Sequence, residues 1–239
     1  MPQLCDNTWF QTVGEPLAGF LAQTPGHRSP RRYVHVCNPY LAEGAEALTQ
    51  QVTYAAMHRA REQSQMPGLA VEFLAAVRPG DESCASGFFD RTFPLPRSAK
   101  DIKPFRTERP LPLLFDIIGG AAESSADYVI FTNVDICPVP HFYRTVDRLL
   151  ACGFDGLVVN RRTLTGWAAD PKTVDLMAAD PGKPHEGYDC FVFARERLPG
   201  FMLNKAVVGA GGVMQSLIYN LVATSQRLLF LVDVHLTYH

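Results

Sequence analysis

Ser125-Ala126-Asp127-Tyr128-Val129-Ile130-Phe131-Thr132-Asn133-Val134-Asp135-Ile136 is the stretch that decides how this chain is read. Tyr128 to Phe131 is a short, continuous apolar run, the pattern of a strand buried on both faces. Polar residues take over abruptly at Thr132-Asn133-Val134-Asp135. Alternation along an extended segment puts Asn133 and Asp135 on the same side. A carboxylate beside an amide oxygen is a pair of hard oxygen ligands, suited to Mg²⁺ or Mn²⁺, ions that also take phosphate oxygens and water. The competing reading has Asp135 capping a helix that starts near Pro138, with Asn133 forming an Asx turn.

Elements of both kinds flank this strand. Tyr33-Val34-His35-Val36-Cys37 alternates at period two and predicts a strand, ended by Asn38-Pro39. Good helix formers fill 43–64, Pro67-Gly68 closes that helix, and a second strand runs from Leu69 to Val77 up to Pro79-Gly80. Residues 80–109 carry no regular periodicity and read as a long loop, a feature usually tied to function or to disorder. A helix is expected from Thr107 to Ser125, with Pro110 in its first turn. Further helices are expected at 139–152 and 213–224, and further strands at Gly156 to Asn160, Tyr188 to Ala194 and Leu228 to Val234. Residues 1–31, punctuated by Pro2, Pro16, Pro25 and Pro30, read as an irregular lead-in to a single domain over 32–239. Strands alternating with helices mean an α/β fold with a mostly parallel central sheet and flanking helices. Ligands of such sheets bind outside the carboxyl ends of the strands.

Composition removes several classes. The 239 residues suffice for one domain with a sizeable core. A net charge of −2 argues against a nucleic-acid binder. The six cysteines form no CxxC pair, which argues against zinc ribbons and disulfide scaffolds and favours reduced thiols in a cytoplasmic protein. Cys137 reads as a small packed residue. No segment has the apolar length of a membrane span or the make-up of a signal peptide. GxSxG, GxxxxGK[ST] and HExxH motifs are absent.

Residues 125–136 resemble the acidic DxD-type motif of nucleotide-diphospho-sugar glycosyltransferases with the GT-A fold, with Asn133 standing where that motif has its first Asp. The likeness extends more loosely over about 32–239, in the order of the elements. It implies a GT-A-like (Rossmann-like) domain that moves a sugar from a nucleotide-diphosphate donor to an unknown acceptor, assisted by Mn²⁺ or Mg²⁺. In that reading Asp135, with Asn133, holds the donor diphosphate, and Asn38 stands where such enzymes contact the nucleoside. An acidic residue near the entrance of the strand Tyr188 to Ala194 would bind acceptor and, in inverting members, act as base, which points to Asp189 first and Glu186 second. A carboxylate there can take the acceptor hydroxyl's proton. The plainer reading pairs Asp189 with Arg195 or Arg197. Some members complete the metal site with a late histidine, so His239 or His235 would join Asp135.

Two more features bear on this expectation. If Asp233-Val234-His235-Leu236-Thr237-Tyr238-His239 stays extended, Asp233, His235, Thr237 and His239 share one face. The stretch 91–109 holds six Lys or Arg residues against Asp101 and Glu108, and Lys103, Arg106 or Arg109 can bring positive charge to a leaving diphosphate. Arg161, just past a strand end, has the same potential. Gly209-Ala210-Gly211-Gly212 precedes a helix and reads as a tight turn or close packing before an anion cradle. Nucleotidyl transfer or metal-dependent phosphate hydrolysis needs several carboxylates around the metal, and only Asp135 is well placed. A non-catalytic nucleotide-sugar-binding module is the remaining alternative.

Overall fold

A computed structural model describes residues 10–12, 30–102 and 109–239. Lys103 and Arg106 lie outside the described residues. The strands are β1 (Phe10–Thr12), β2 (Arg31–Cys37), β3 (Leu69–Val77), β4 (Arg91–Pro94), β5 (Tyr128–Thr132), β6 (Cys137–Pro138), β7 (Gly156–Thr163), β8 (Lys183–Ala194), β9 (Leu228–Leu231) and β10 (Thr237–Tyr238). The α-helices are α1 (Gly44–Gln63), α2 (Leu114–Ala122), α3 (Phe142–Ala151), α4 (Val174–Ala179) and α5 (Val213–Thr224).

The main sheet runs β1-β9-β7-β8-β5-β2-β3-β4. Along this path β8 alone is antiparallel to its neighbours, β7 and β5, and every other pairing is parallel. The period-two alternation of β2 sorts its side chains into two cores. Tyr33 and Cys37 join Val52 and Met57 of α1 and Phe142 and Val146 of α3 on one face. Val34 and Val36 join Ile117 and Ile118 of α2 and Leu217 and Leu221 of α5 on the other. The result is the three-layer α/β/α arrangement expected of a GT-A-like fold. No described helix is long and apolar enough to cross a membrane.

Four local expectations change. The lead-in contributes an edge strand, since β1 pairs in parallel with β9. The loop 80–109 contains β4, an edge strand whose alternating partial exposure and terminal Pro94 hide it from a hydrophobic pattern. The helix expected from Thr107 begins only at Leu114, because Pro112 disfavours helix at Leu111 and the chain pairs sideways, Ser98 with Pro112 and Leu113 with Val207. The last large strand stops at Leu231, and Asp233 takes a left-handed conformation (φ 58°), so 233–239 does not stay extended and its four polar residues do not share a face.

Candidate active site

β2, β3 and β5 are parallel and end at one edge of the sheet. Asn38, Arg78 and the segment Asn133-Val134-Asp135 follow those ends, and Arg109 to Pro112 with Val208-Gly209 form the facing wall of a cleft of about 310 Å³. That is the low end of the range for small-molecule sites.

The floor of the cleft is set from below. His35 is fully buried on β2, with Nδ1 2.7 Å from Tyr143 Oη and Nε2 2.9 Å from Thr132 Oγ1. Burial without a counter-charge drives its pKa down to about 3. Thr132 thus ends β5 in a fixed position, and a tight turn follows, with the Ile136 N–H donating to Asn133 O at 3.2 Å. The next helix, α3, begins at Phe142 with His141 at its N-cap, which removes the helix-capping reading of Asp135. Cys137, in β6, is buried with its Sγ 3.4 Å from Thr53 Oγ1, and burial pushes its thiol up to about 12, as a packed residue requires.

Asp135 lines the cleft half-buried, with Oδ2 3.3 Å from His239 Nε2. Its Oδ1 is buried without a hydrogen-bond partner. Burial raises its pKa, but the His239 contact, its own backbone N–H and the charge of Arg161 outweigh that and hold the carboxyl below its ordinary range. His239 is fixed by its backbone, whose N–H donates to Arg162 O and whose carbonyl accepts from the Leu164 N–H, each at 2.9 Å.

The far end of the cleft contains the expected Asn38 together with Arg78 and Tyr40, which the sequence reading missed. Arg78 donates from Nε (3.0 Å) and Nη2 (2.8 Å) to Oδ2 of the buried Asp81, and from Nη1 to Pro110 O (3.3 Å). Asn38 Nδ2 donates to Ala76 O at 2.6 Å, and Tyr40 adds a half-exposed ring to the lining. Arg78 directly follows a strand end, so the rule that directs attention there applies to it, although Pro79-Gly80 reads first as a stop signal.

The opposite side of the mouth is built by β8. Because β8 is antiparallel, its first half lies at the carboxyl ends of its neighbours. Asn160 pairs with Tyr188 and Arg162 with Pro184, so His185-Glu186-Gly187 bulges out of register. Asn160 Nδ2 holds the bulge by donating to His185 O and to Gly187 O (2.9 Å). Asp189 Oδ1 accepts from Asn133 Nδ2 at 3.5 Å, and Oδ2 lies 3.3 Å from Arg161 Nε. The expected alternative pairing is overturned: Arg195 donates to Ala126 O (2.6 Å) and Arg197 to Asp155 (2.9 Å). Glu186 is exposed on the bulge.

The remaining charges divide sharply. Arg109 lines the cleft, whereas Arg91 is paired with Glu72 at 2.7 Å and Arg97 with Asp116 at 2.9 Å. Arg161, expected to reach the donor, is not among the residues lining the cleft, and its Nε lies 3.3 Å from Asp189 Oδ2. His235 stands near Arg162, His141 and Asp180. Burial and the nearby charges of Arg162 and His141 lower its pKa against the pull of Asp180, and among the described residues no three His, Cys, Asp or Glu side chains converge on a metal position. Asp135 and His239 are brought together; His235 does not complete a ligand set with them.

The class is clear at the level of fold: a GT-A-like α/β domain. No protein-family profile matches the sequence, and no curated protein matches it. Among solved structures, S. aureus TarS 1–349 is similar over 87% of this chain and 60% of that one, with a TM-score of 0.54 and 8% identity. The same protein in complex with UDP gives 0.53 at 8% identity, and in complex with UDP-GlcNAc 0.52 at 9%, again over 87% of this chain. The chain therefore spans about three fifths of the length of the structures it resembles.

Proposed function

We propose that this protein is a glycosyltransferase that takes its sugar from a nucleoside-diphosphate donor. The observation that carries the reading is Asp135, an ionised carboxylate delivered by a core strand to the floor of a cleft, with one buried oxygen lacking a partner. A buried acceptor without a partner at the floor of a cleft is one a ligand completes. Asn38, Tyr40 and Arg78 would receive the nucleoside, and Arg109 would face the diphosphate. Asp135 and His239 fit a divalent ion such as Mn²⁺ or Mg²⁺, an oxygen and an imidazole donor, with phosphate oxygens and water taking the other positions. Such an ion supplies charge stabilisation to a leaving diphosphate. Asp189, across the mouth and within reach of Asn133, would take the proton of the acceptor hydroxyl as its oxygen attacks the anomeric carbon. The solved complexes of TarS with UDP and UDP-GlcNAc make uridine donors the first to test.

The test is UDP binding by calorimetry with and without Mn²⁺, and product analysis after incubation with UDP-sugars, for the wild type and Asp135→Asn. Free UDP from the wild type, and loss of both turnover and Mn²⁺-dependent affinity by at least about tenfold in the variant, support the reading. Full activity in Asp135→Asn refutes it. Sugar 1-phosphate as the product, the leaving group when the α-phosphorus of a UDP-sugar is attacked, indicates nucleotidyl transfer, and binding without turnover indicates a non-catalytic module.

A further inference from the structure

Arg161 sits where β7 loses register with β8, with irregularities on both sides of Asn160. Nε lies 3.3 Å from Asp189 Oδ2, with the two side chains only 17% and 20% exposed. Neither atom has an aligned hydrogen-bond partner, so the contact is an ion pair with slack in its geometry. Nη2 lies 3.0 Å from His185 Nε2, and the Gly187 N–H meets His185 Nδ1 at 2.8 Å. A neutral imidazole offers one acceptor nitrogen, so the ring satisfies one of these donors and packs against the other. Asn160 locks both flanks of the bulge. Arg161 is therefore held by Asp189 and His185 on the acceptor side, and it is not among the residues lining the donor cleft.

A guanidinium is planar and permanently charged, and its fork constrains a carboxylate in direction as well as in charge. Asp135 and Asp189 both stand at a mouth that must also receive a diphosphate. A fixed cation beside Asp189 offsets that accumulation of negative charge without occupying the donor site.

We propose that Arg161 is a positioning residue for sugar transfer: it aims the Asp189 carboxylate at the acceptor hydroxyl and does not bind the donor. This rests on the reading of Asp189 as the group that receives the acceptor's proton. In that step the acceptor O–H breaks and its proton passes to Asp189. The acceptor oxygen bonds to the anomeric carbon, and the bond from that carbon to the diphosphate breaks, its electron pair leaving with the nucleoside diphosphate. Arg161 exchanges no proton and forms no covalent bond.

The experiment measures release of nucleoside diphosphate from UDP-GlcNAc, UDP-glucose and GDP-mannose, with water as the acceptor, by the wild type, Arg161→Ala, Arg161→Lys and Asp189→Asn. kcat and KM are obtained separately, and the Kd for UDP is measured by calorimetry. Arg161→Ala is expected to lower kcat about 100-fold, the cost of a misaimed reacting group, while KM and the UDP Kd stay within about twofold of wild type. Added guanidinium ion is expected to restore part of kcat in Arg161→Ala and none in Asp189→Asn, which a purely structural role does not produce. A wild-type kcat in Arg161→Ala, or a kcat that falls only together with a tenfold rise in the UDP Kd, overturns the assignment. If Asp189→Asn keeps full activity, or the wild type turns over none of the donors, the parent reading fails and this inference falls with it.

Discussion

His35 is buried beneath the cleft, and its environment sets a measurable acid sensitivity. It is fully buried, both ring nitrogens are engaged by the hydroxyls of Tyr143 and Thr132, and its pKa falls from 6.5 to about 3. Between those values the unfolded chain binds a proton that the folded chain refuses. Stability is therefore fully present above pH 6.5 and lost as pH falls. The slope from one such group is about 1.4 kcal/mol per pH unit, so about 2.7 kcal/mol disappears between pH 6.5 and 4.5. Against a total of roughly 5–15 kcal/mol for a typical domain, that is a substantial share. The assay is urea unfolding followed by circular dichroism from pH 7.5 to 4.5, for the wild type and His35→Gln. At pH 7.5 the variant is expected to be less stable by about 1–3 kcal/mol, because the buried hydroxyls are paired less well. That gap should close or reverse by pH 4.5, since the amide takes no proton. A gap that stays constant across the range refutes the picture of a proton-excluding imidazole beneath the site.

Three further outcomes are expected. The adjacent glycines of α2 should respond with opposite sign. A methyl at Gly119 meets nothing within 4 Å, whereas one at Gly120 comes 2.6 Å from Phe93 Cγ. In urea unfolding, Gly119→Ala should gain up to about 1 kcal/mol of helix propensity and Gly120→Ala should lose about 1–3 kcal/mol to overpacking; equal effects would contradict the packing of α2 on β4. Asn160→Ala removes the donor that holds His185 O and Gly187 O, and should cost about 1–3 kcal/mol while reducing turnover more than UDP affinity, read from unfolding curves beside calorimetry. Asp81→Ala leaves Arg78 without the carboxylate that aims it and should weaken UDP binding about tenfold by calorimetry, whereas an unchanged Kd would detach Arg78 from the donor site.

Much of the architecture is visible in the chain because its signals are local. Leu69–Val77 and Val213–Thr224 stand where apolar runs and flanking breakers place them, and Tyr128–Thr132 ends at the change from apolar to polar residues. The elements that escape notice depend on distant partners. β4 is half-exposed, β6 and β10 have two residues each, and α2 starts late because Pro112 favours pairing with the loop before α5. The site divides the same way. Asn38, Asn133 and Asp135 follow strand ends and are found by position, and Asp189 by its place on β8. Arg161, placed equally well by that rule, belongs to the other side of the mouth because a bulge turns it. His235 follows a left-handed residue at Asp233, a conformation that no pattern of apolar spacing records.

The reversed direction of β8 has a consequence for how the chain can change. Its later residues, Cys190 to Ala194, are buried between β5 and β7, while Lys183 to Asp189 enter from outside and remain at least partly exposed. A single strand thus carries an anchor and a variable tip, and the tip does not share its residues with the strand ends that shape the donor cleft. Exchanges confined to 183–188 can retune what approaches from that side without repacking the interior. On the proposed transferase reading, a library built on those six positions, with Asp189 kept, is consequently the economical place to look for altered acceptor preference.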